Sequence, residues 1–324
     1  MTGNLLIIVV IFRRRNANHF TDTLIGALAV ADFVTSVLAL PFPIAIRVPP
    51  TWLGELYCRV MFPSLLFWIS VSASFYTLTA ISVERYFAIV YPIKFSQLLE
   101  KGHVILAVCF IWVFALFEAT FVFGSFYVEP TYYYCEVISK TVLSEFLAWV
   151  VILLSHFVLP IMIMAFTQGF SARALSRRHM HFDNEDKRDV GLSAARSRLL
   201  SAQKRVLTLI FVVNLTFVVC WTPDAVIYLF SSIGKVDSIL DADSVWARGA
   251  ALLAFFNSCA NPFIYSIQYP QFRKAIKNLF TCSTSGRPGA IFQVRQDKQK
   301  EKSSLRRANR SEGCKTSAVS VSKE

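Results

Sequence analysis

The chemistry of this chain sits in a few polar residues set inside long apolar runs. Glu84-Arg85-Tyr86 closes the run from Val60 to Val83, which holds 24 residues and no Asp, Glu, Lys or Arg. At about 1.5 Å per residue a run of that length spans a bilayer core, so Arg85 stands at the edge of the hydrocarbon, where a charge needs a partner. Two readings fit. Arg85 is an interfacial anchor that snorkels to the lipid head groups, or it is half of a latch, paired with Glu84 inside a bundle until another protein takes the arginine. Asp32 lies in the middle of a second apolar run, where a bare carboxylate is costly unless protonated, paired or hydrated. Ser74, Asn257, Ser258 and Asn261, together with Asn4, offer oxygen atoms that suit a sodium ion and its waters. A protonated Asp32 hydrogen-bonded between helices is the other reading.

Proline adds a mechanical element. Asn261-Pro262-Phe263-Ile264-Tyr265 and Cys220-Trp221-Thr222-Pro223 each place a proline inside an apolar helix, which frees a carbonyl and creates a bend. Pro160 does the same in a third run. Kinked helices around polar residues describe a bundle able to adopt two packings.

These residues require membrane-spanning elements to hold them. With 324 residues, 55% hydrophobic content and a mean hydropathy of +0.50, the chain is too apolar for a soluble globule. The apolar runs predict an all-α membrane protein, a seven-helix bundle with spans at about 1–12, 22–46, 59–88, 103–127, 143–170, 204–233 and 246–269. The first run is too short to cross unaided and reads as the inner half of a helix whose outer half is absent. A signal peptide is the alternative, but its positive charges belong before the apolar part, and here Arg13 to Arg15 follow it. Residues 270–280 read as an amphipathic eighth helix on the membrane surface, with Phe272, Ile276 and Phe280 on one face. Residues 281–324 read as a disordered basic tail with 11 Ser or Thr as phosphoacceptors.

Charge orients the bundle. With Arg13 to Arg15 cytoplasmic, alternation puts 28 of the 33 Lys and Arg on that side, the carboxy terminus included, and leaves Arg47, Arg59, Lys140, Lys235 and Arg248 outside. The formal +12 therefore reports a face beside anionic lipid, and nucleic acid need not be invoked. Cys58 and Cys135 fall at the outer side, where a disulfide persists and would tie the third helix to the loop after the fourth. Cys109, Cys220 and Cys259 read as packing residues within spans. Cys282 follows the amphipathic stretch as a lipidation candidate, and Cys314 is a tail thiol.

In order along the chain, Gly3-Asn4, Leu28-Ala29-Val30-Ala31-Asp32, Glu84-Arg85-Tyr86, Trp112, Pro160, Phe217 with Cys220-Trp221-Thr222-Pro223, and Asn261-Pro262 to Tyr265 followed by Phe272 resemble the rhodopsin-family (class A) G-protein-coupled receptors, without assigning a subfamily. The resemblance implies a plasma-membrane receptor in which Arg85 meets the carboxy-terminal helix of a heterotrimeric G protein. Trp221 and Phe217 then relay ligand contact, with Pro223, Asn261 and Pro262 at the bends, and Tyr265 swings inward on activation. Receptor kinases and arrestin become partners for the tail.

Departures from the family pattern also carry information. Cys58 stands 27 residues before Arg85, two more than is usual. Gln168 replaces a tyrosine that commonly supports the active state. Gln203 stands where many members place an acid for Arg85, which implies a weak latch and raised basal signalling. Phe67 occupies the position of the aspartate of amine receptors, and Phe255 that of the retinal-binding lysine of opsins, so an amine pocket and a Schiff base are disfavoured. The expected ligand pocket holds Phe67, Trp68, Val71, His156, Trp221, Asp224 and Phe255. Asp224 and the intramembrane Glu118 either counter a cationic ligand group or bond neighbouring helices. His179-Met180-His181 is a weak metal candidate. No cofactor is expected beyond the sodium ion. The rival classes are a transporter or channel, for which repeats and a polar pore are missing, and a receptor-shaped fragment without signalling. The nucleophile and zinc motifs of membrane enzymes do not occur.

Overall fold

The computed structural model describes residues 1–13, 20–40, 45, 47–62, 64–98, 101–123, 126–137, 147, 150–185, 190–232, 244–268, 272–273 and 276–277. Seven helices carry the fold: α1 (Thr2–Arg13), α2 (Phe20–Leu38), α3 (Leu65–Val90), α4 (Lys101–Phe123), α5 (Leu159–Glu185), α6 (Val190–Ser232) and α7 (Val245–Gln268). Among the described residues six stretches are long and apolar enough to cross a membrane: Phe20–Leu38, Trp52–Val90, Gly102–Thr120, Val150–Met180, Leu199–Ile227 and Val245–Gln268. Thr2–Phe12 is a shorter apolar helix.

Burial is inverted relative to a water-soluble bundle. Asn4, Thr21, Asp32, Thr35, Ser74, Glu84, Arg85, Asn214 and Asn261 are buried, while Leu106, Phe110, Val113 and Phe117 of α4 face outward. Hydrocarbon tails solvate apolar side chains as well as another helix does, so polar and small residues turn inward, where they find hydrogen-bond partners. α3 is the hub and packs on α2, α4, α5 and α6. Val71, Phe75, Leu78 and Ile81 of α3 join Leu24, Leu28, Met164, Val213, Phe217 and Tyr265 in one core. α1 meets α7 closely because Gly3 has no Cβ: one placed there would lie 2.7 Å from Pro262 Cβ.

Two segments depart from α-helical geometry, each beside a residue singled out from sequence. Tyr57–Met61 forms a π-helical turn carrying Cys58, and Ser64 then adopts a left-handed conformation (φ 55) before α3 begins at Leu65. The interruption lies between Cys58 and Arg85, and the disulfide to Cys135 forms with Cα atoms 5.3 Å apart. Leu153–Val158 is the second π-helical turn and precedes Pro160, whose missing N–H loosens the ladder there.

Sequence patterns of spans alone did not register the two-stranded antiparallel sheet at the disulfide end. β1 (Phe126–Glu129) pairs with β2 (Tyr134–Val137), Val128 opposite Cys135. Aromatic and β-branched residues favour these strands, and the Glu129 carboxylate caps the turn by accepting from the backbone N–H of Thr131 (2.8 Å) and Tyr132 (2.6 Å). The Tyr132 N–H first, then the Thr131 hydroxyl and N–H, hold its carboxyl below the usual glutamate range. The short helix Trp52–Leu56 docks on the sheet through Glu55, which accepts from Val128 N at 3.3 Å.

At the opposite end, α5 continues to Glu185 and α6 starts at Val190, so both reach well beyond the apolar core. Of the predicted eighth helix, Phe272, Arg273, Ile276 and Lys277 are described and helical; Phe272 is buried, and Arg273 donates to the last carbonyls of α7, Ser266 O and Ile267 O. Cys282, Cys314 and the tail at 281–324 lie outside the described residues.

Candidate functional site

The polar residues form three layers along α3. In the layer nearest the end of α3, Glu84 and Arg85 are 4% and 5% exposed. Arg85 does not snorkel. Its Nε and Nη2 donate to the two carboxylate oxygens of Glu84, and Nη2 also donates to Thr21 Oγ1 of α2. The Thr21 hydroxyl in turn donates to Glu84 Oε1 at 3.0 Å, closing a triangle. Consecutive helix residues point about 100° apart, so the arginine must fold back to reach Glu84, and Thr21 is the group from outside α3 that fixes the pair. Among the described residues Arg85 forms its ion pair with Glu84. Tyr86 points elsewhere, its ring beside Tyr91, Phe166 and Phe170. Gln203 is half-buried on α6.

The middle layer is centred on Asp32, fully buried. Its Oδ1 accepts from Ser74 Oγ at 2.8 Å and its Oδ2 from Asn261 Nδ2 at 2.7 Å, which joins α2, α3 and α7. Asn4 Nδ2 donates to Ser258 O at 2.9 Å and adds α1. Asn257 is buried one turn before Asn261. Asn4 Oδ1 and Asn261 Oδ1 are buried acceptors without a donor among the described residues. A carboxylate, a hydroxyl and unpaired amide oxygens are the donor set a hard cation or water takes. Pro262 follows Asn261 inside α7, and Tyr265, one turn on, is buried with its ring 6.3 Å from that of Phe272.

The third layer is aromatic. Phe67 packs edge-on against Trp68 (5.4 Å) and Phe255 (5.7 Å). Phe75 is the deeper hub: its ring lies 4.7 Å from Trp221, 4.8 Å from Phe217 and 6.0 Å from His156. Sequence reading passed over Phe75, although Phe67, Val71 and Phe75 recur every four residues and so share one face of α3. Nothing comparable flags Thr21, a hydroxyl at the edge of a span. Among the described residues the buried indole Nε1 of Trp221 has no partner, and Asp224, half-buried nearby and just past Pro223, hydrogen-bonds none.

His156 and Glu118 belong to a cluster between α3, α4 and the π-turn. Glu118 accepts from Tyr76 OH and Ser155 Oγ and lies 3.5 Å from His156 Nε2, which meets Ser72 Oγ at 2.6 Å. Glu118 thus bonds neighbouring helices. Val71 is buried in the main core, one turn from Phe75. His179 and Met180 line a cleft between α5 and α6, and among the described residues no three His, Cys, Asp or Glu gather as a metal site.

The chain is similar to known proteins. The family described as 7 transmembrane receptor (rhodopsin family) matches residues 3–265. The allatostatin-A receptor of Bombyx mori is 28% identical over 91% of this chain and 81% of its own length. Galanin receptor type 1 of Rattus norvegicus is 28% identical over 86% and 78%, and melatonin receptor type 1B of Homo sapiens 28% over 86% and 74%. The crystal structure of squid rhodopsin superposes with a TM-score of 0.69 at 22% identity, covering 93% of this chain and 85% of that one.

Proposed function

We infer function from one premise: the chain belongs to the rhodopsin family of seven-transmembrane receptors. It is a multi-pass membrane protein, and we propose that it resides in the plasma membrane with the disulfide end outside and the Arg85 end and carboxy terminus in the cytoplasm. There it converts binding of a small-molecule or peptide ligand into nucleotide exchange on a heterotrimeric G protein. The observation that carries this reading is the buried Glu84–Arg85–Thr21 triangle. A desolvated cation that is paired, among the described residues, with Glu84 and Thr21 is stable while enclosed and becomes a strong donor once the helices part.

The route from ligand to arginine follows α3. A ligand reaching Phe67, Trp68, Val71, Phe255 and, deeper, Trp221 and His156 displaces the Trp221 indole, with Asp224 as its polar handle. Phe75 passes that movement to Phe217 on α6. Pro223 lies inside α6 and lets the segment below it swing. Loosening at that end exposes Arg85 to the carboxy-terminal helix of the G protein, while Tyr265 fills the space vacated. The ligand shifts this equilibrium only by its differential affinity for the two packings, typically about 1–3 kcal/mol.

Asp32, Ser74, Asn257, Ser258 and Asn261 would hold a sodium ion that stabilises the closed packing by tying α2, α3 and α7. The unpaired Asn261 Oδ1 supports the fit. Receptor kinases and arrestin would act through the Ser/Thr-rich tail, with Cys282 lipidated beside the membrane.

The test is expression in cells carrying a panel of G-protein activation sensors, with and without candidate ligands. A sensor response lost in Arg85→Ala at unchanged surface expression supports the proposal. A response identical in wild type and Arg85→Ala overturns the coupling role.

A further inference from the structure

Two carboxylates stand within the apolar spans towards the disulfide end, and the protein treats them differently. Glu118 is met by the chain's own side chains: Tyr76 OH and Ser155 Oγ donate to it, and His156 Nε2 lies 3.5 Å away. Asp224 has no such shell. Among the described residues it takes part in no hydrogen bond, and the ion pairs are Arg59–Glu55, Arg85–Glu84 and His156–Glu118. It is half-buried, and its oxygens, unlike Trp221 Nε1, are not sealed from the surroundings.

Periodicity says which way Asp224 points. Phe217, Trp221 and Asp224 recur at i, i+4 and i+7 and so share one face of α6. Phe217 is 1% exposed in the core, whereas Phe211, Leu215, Val219 and Val226 are exposed and form the lipid face. Val226 lies about 200° around the helix from Asp224. The carboxylate therefore looks into the bundle.

The ring contacts give its level. Phe75 touches both Phe217 and Trp221, so it stands opposite the turn between them. Asn214 meets Ser82 further along α3, which shows that the two helices run in opposite senses. At about 1.5 Å per residue Asp224 lies roughly 7–8 Å from Phe75 towards the disulfide end, between the levels of Val71 (about 6 Å) and Phe67 (about 12 Å). Phe67 carries the aromatic group there, with Trp68 at 5.4 Å and the partly exposed Phe255 at 5.7 Å.

A reachable carboxylate just beneath aromatic rings is a setting for an organic cation: the oxygens take charge-assisted hydrogen bonds, and the ring faces attract the rest of the charge. The protein's own spans cannot supply that cation. Residues 60–84, 206–233 and 249–269 of the facing helices contain no Lys or Arg, and an uncompensated carboxylate at this depth is costly. We propose that the ligand is an organic cation whose ammonium or guanidinium group pairs with Asp224 while its apolar part packs on Phe67 and Phe255. This rests on the receptor reading and names the ligand class of that pocket. The counter-charge that Phe67 denies to α3 is supplied by α6. A free amine and the basic side chain of a peptide present the same chemistry, and a neutral ligand would leave the carboxylate unmet.

The probes are two matched pairs, bound to the full chain in phosphatidylcholine nanodiscs. One is tritiated 2-phenylethylamine against 2-phenylethanol; the other is a pool of terminally blocked tetrapeptides with one Lys against the same pool with Nε-acetyl-lysine. Wild type is expected to favour the charged member of at least one pair about ten- to a hundredfold, the worth of a hydrogen bond to a charged group. A preference in the first pair alone assigns a free amine, in the second alone a peptide, and in both a site open to either. Asp224→Asn, of the same shape, should erase the preference and leave the neutral members unchanged. Phe255→Leu, which keeps the carboxylate, should weaken both members and keep the preference. Absence of any preference in wild type needs no variant and overturns the proposal, as does a preference that survives in Asp224→Asn. Binding is read without a G protein, so a chain that binds the cation yet drives no sensor sinks the coupling reading alone. Sensors that answer ligands equally in wild type and Asp224→Asn sink this proposal alone.

Discussion

The two sides of α3 are built on different terms. Towards α1, α2 and α7, most buried polar groups find partners across helices: Asp32 with Ser74 and Asn261, Thr35 with Ser70 at 2.9 Å, and Thr21 with Glu84 and Arg85, while Asn4 Oδ1 and Asn261 Oδ1 have no partner among the described residues. Gly3 lets α1 lie against Pro262. Towards α5 and α6, Gln168 Nε2, Ser171 Oγ and Asn214 Oδ1 are buried and find no partner among the described residues, and a cleft lies between the two helices. A satisfied, close-packed interface has one arrangement of low energy. An interface with open volume and unmet hydrogen bonds loses little when it rearranges. One flank is the frame and the other is the moving part.

The largest expected contrast comes from deleting one polar partner on each flank. Glu84→Ala leaves a buried guanidinium without its carboxylate and should lower unfolding stability by about 3–5 kcal/mol. Asn214→Leu removes an unsatisfied carbonyl, and its former acceptor Ser82 keeps Leu78 O at 3.2 Å. That substitution should change stability by less than about 1 kcal/mol. Equilibrium unfolding in detergent measures both, and equal losses would break the distinction between the flanks.

Added volume sharpens the same contrast. Gly3→Val drives methyl groups into Pro262 and should cost about 1–3 kcal/mol as overpacking. Gly169→Ala meets open space and should stay within about 0.5 kcal/mol. Thermal shift resolves the pair, and an equally damaging Gly169→Ala would mean that the cleft is closed in the membrane.

Sodium gives a smaller effect, confined to the frame. At an ion concentration ten times the dissociation constant, wild type should gain about 1.4 kcal/mol over a choline control. Asp32→Asn should lose that dependence, and a sodium response unchanged in Asp32→Asn removes the ion from this layer. Smaller again is Gln203→Glu on the moving flank. A new carboxylate facing Arg85 from half-exposed α6 should reduce ligand-free signalling about two- to fivefold, the worth of a partly screened pair. Equal basal activity would show that Gln203 does not face the arginine.

Much of the frame was legible before any coordinates, because membrane spans announce themselves by length and because a lone charge in an apolar run demands a partner. Asp32 with Ser74 and Asn261 is such a case. What was not legible depended on rotation about helix axes. Thr21 completes the arginine triangle from another helix, and no spacing within α2 distinguishes it from Thr23. Phe75 was hidden among many aromatic residues, though its period with Phe67 and Val71 was there to be read. The cleft could not have been read at all, since the small face of α5 is the pattern that usually predicts close packing. The two-residue excess before Arg85 was visible as an anomaly, while its resolution into a π-turn and a left-handed Ser64 was not.

The turn at the disulfide end tests how local satisfaction can be. Glu129 is half-buried at the β1–β2 turn, far from both flanks, and its carboxyl is held low because Tyr132 N–H first, then the Thr131 hydroxyl and N–H, donate to the ionised form. A depressed carboxyl supports the fold above the ordinary glutamate pKa, about 4.3, and that support fades as the pH falls through the lowered value. Acidification into that window should therefore speed hydrogen exchange at Thr131 and Tyr132 while amides of α2 and α3 keep their protection. Glu129→Gln should flatten the pH dependence at those two amides alone. If exchange in α3 rose together with that of the turn, the sheet would be coupled to the bundle through the Cys58–Cys135 bridge, and the frame would extend to the disulfide end.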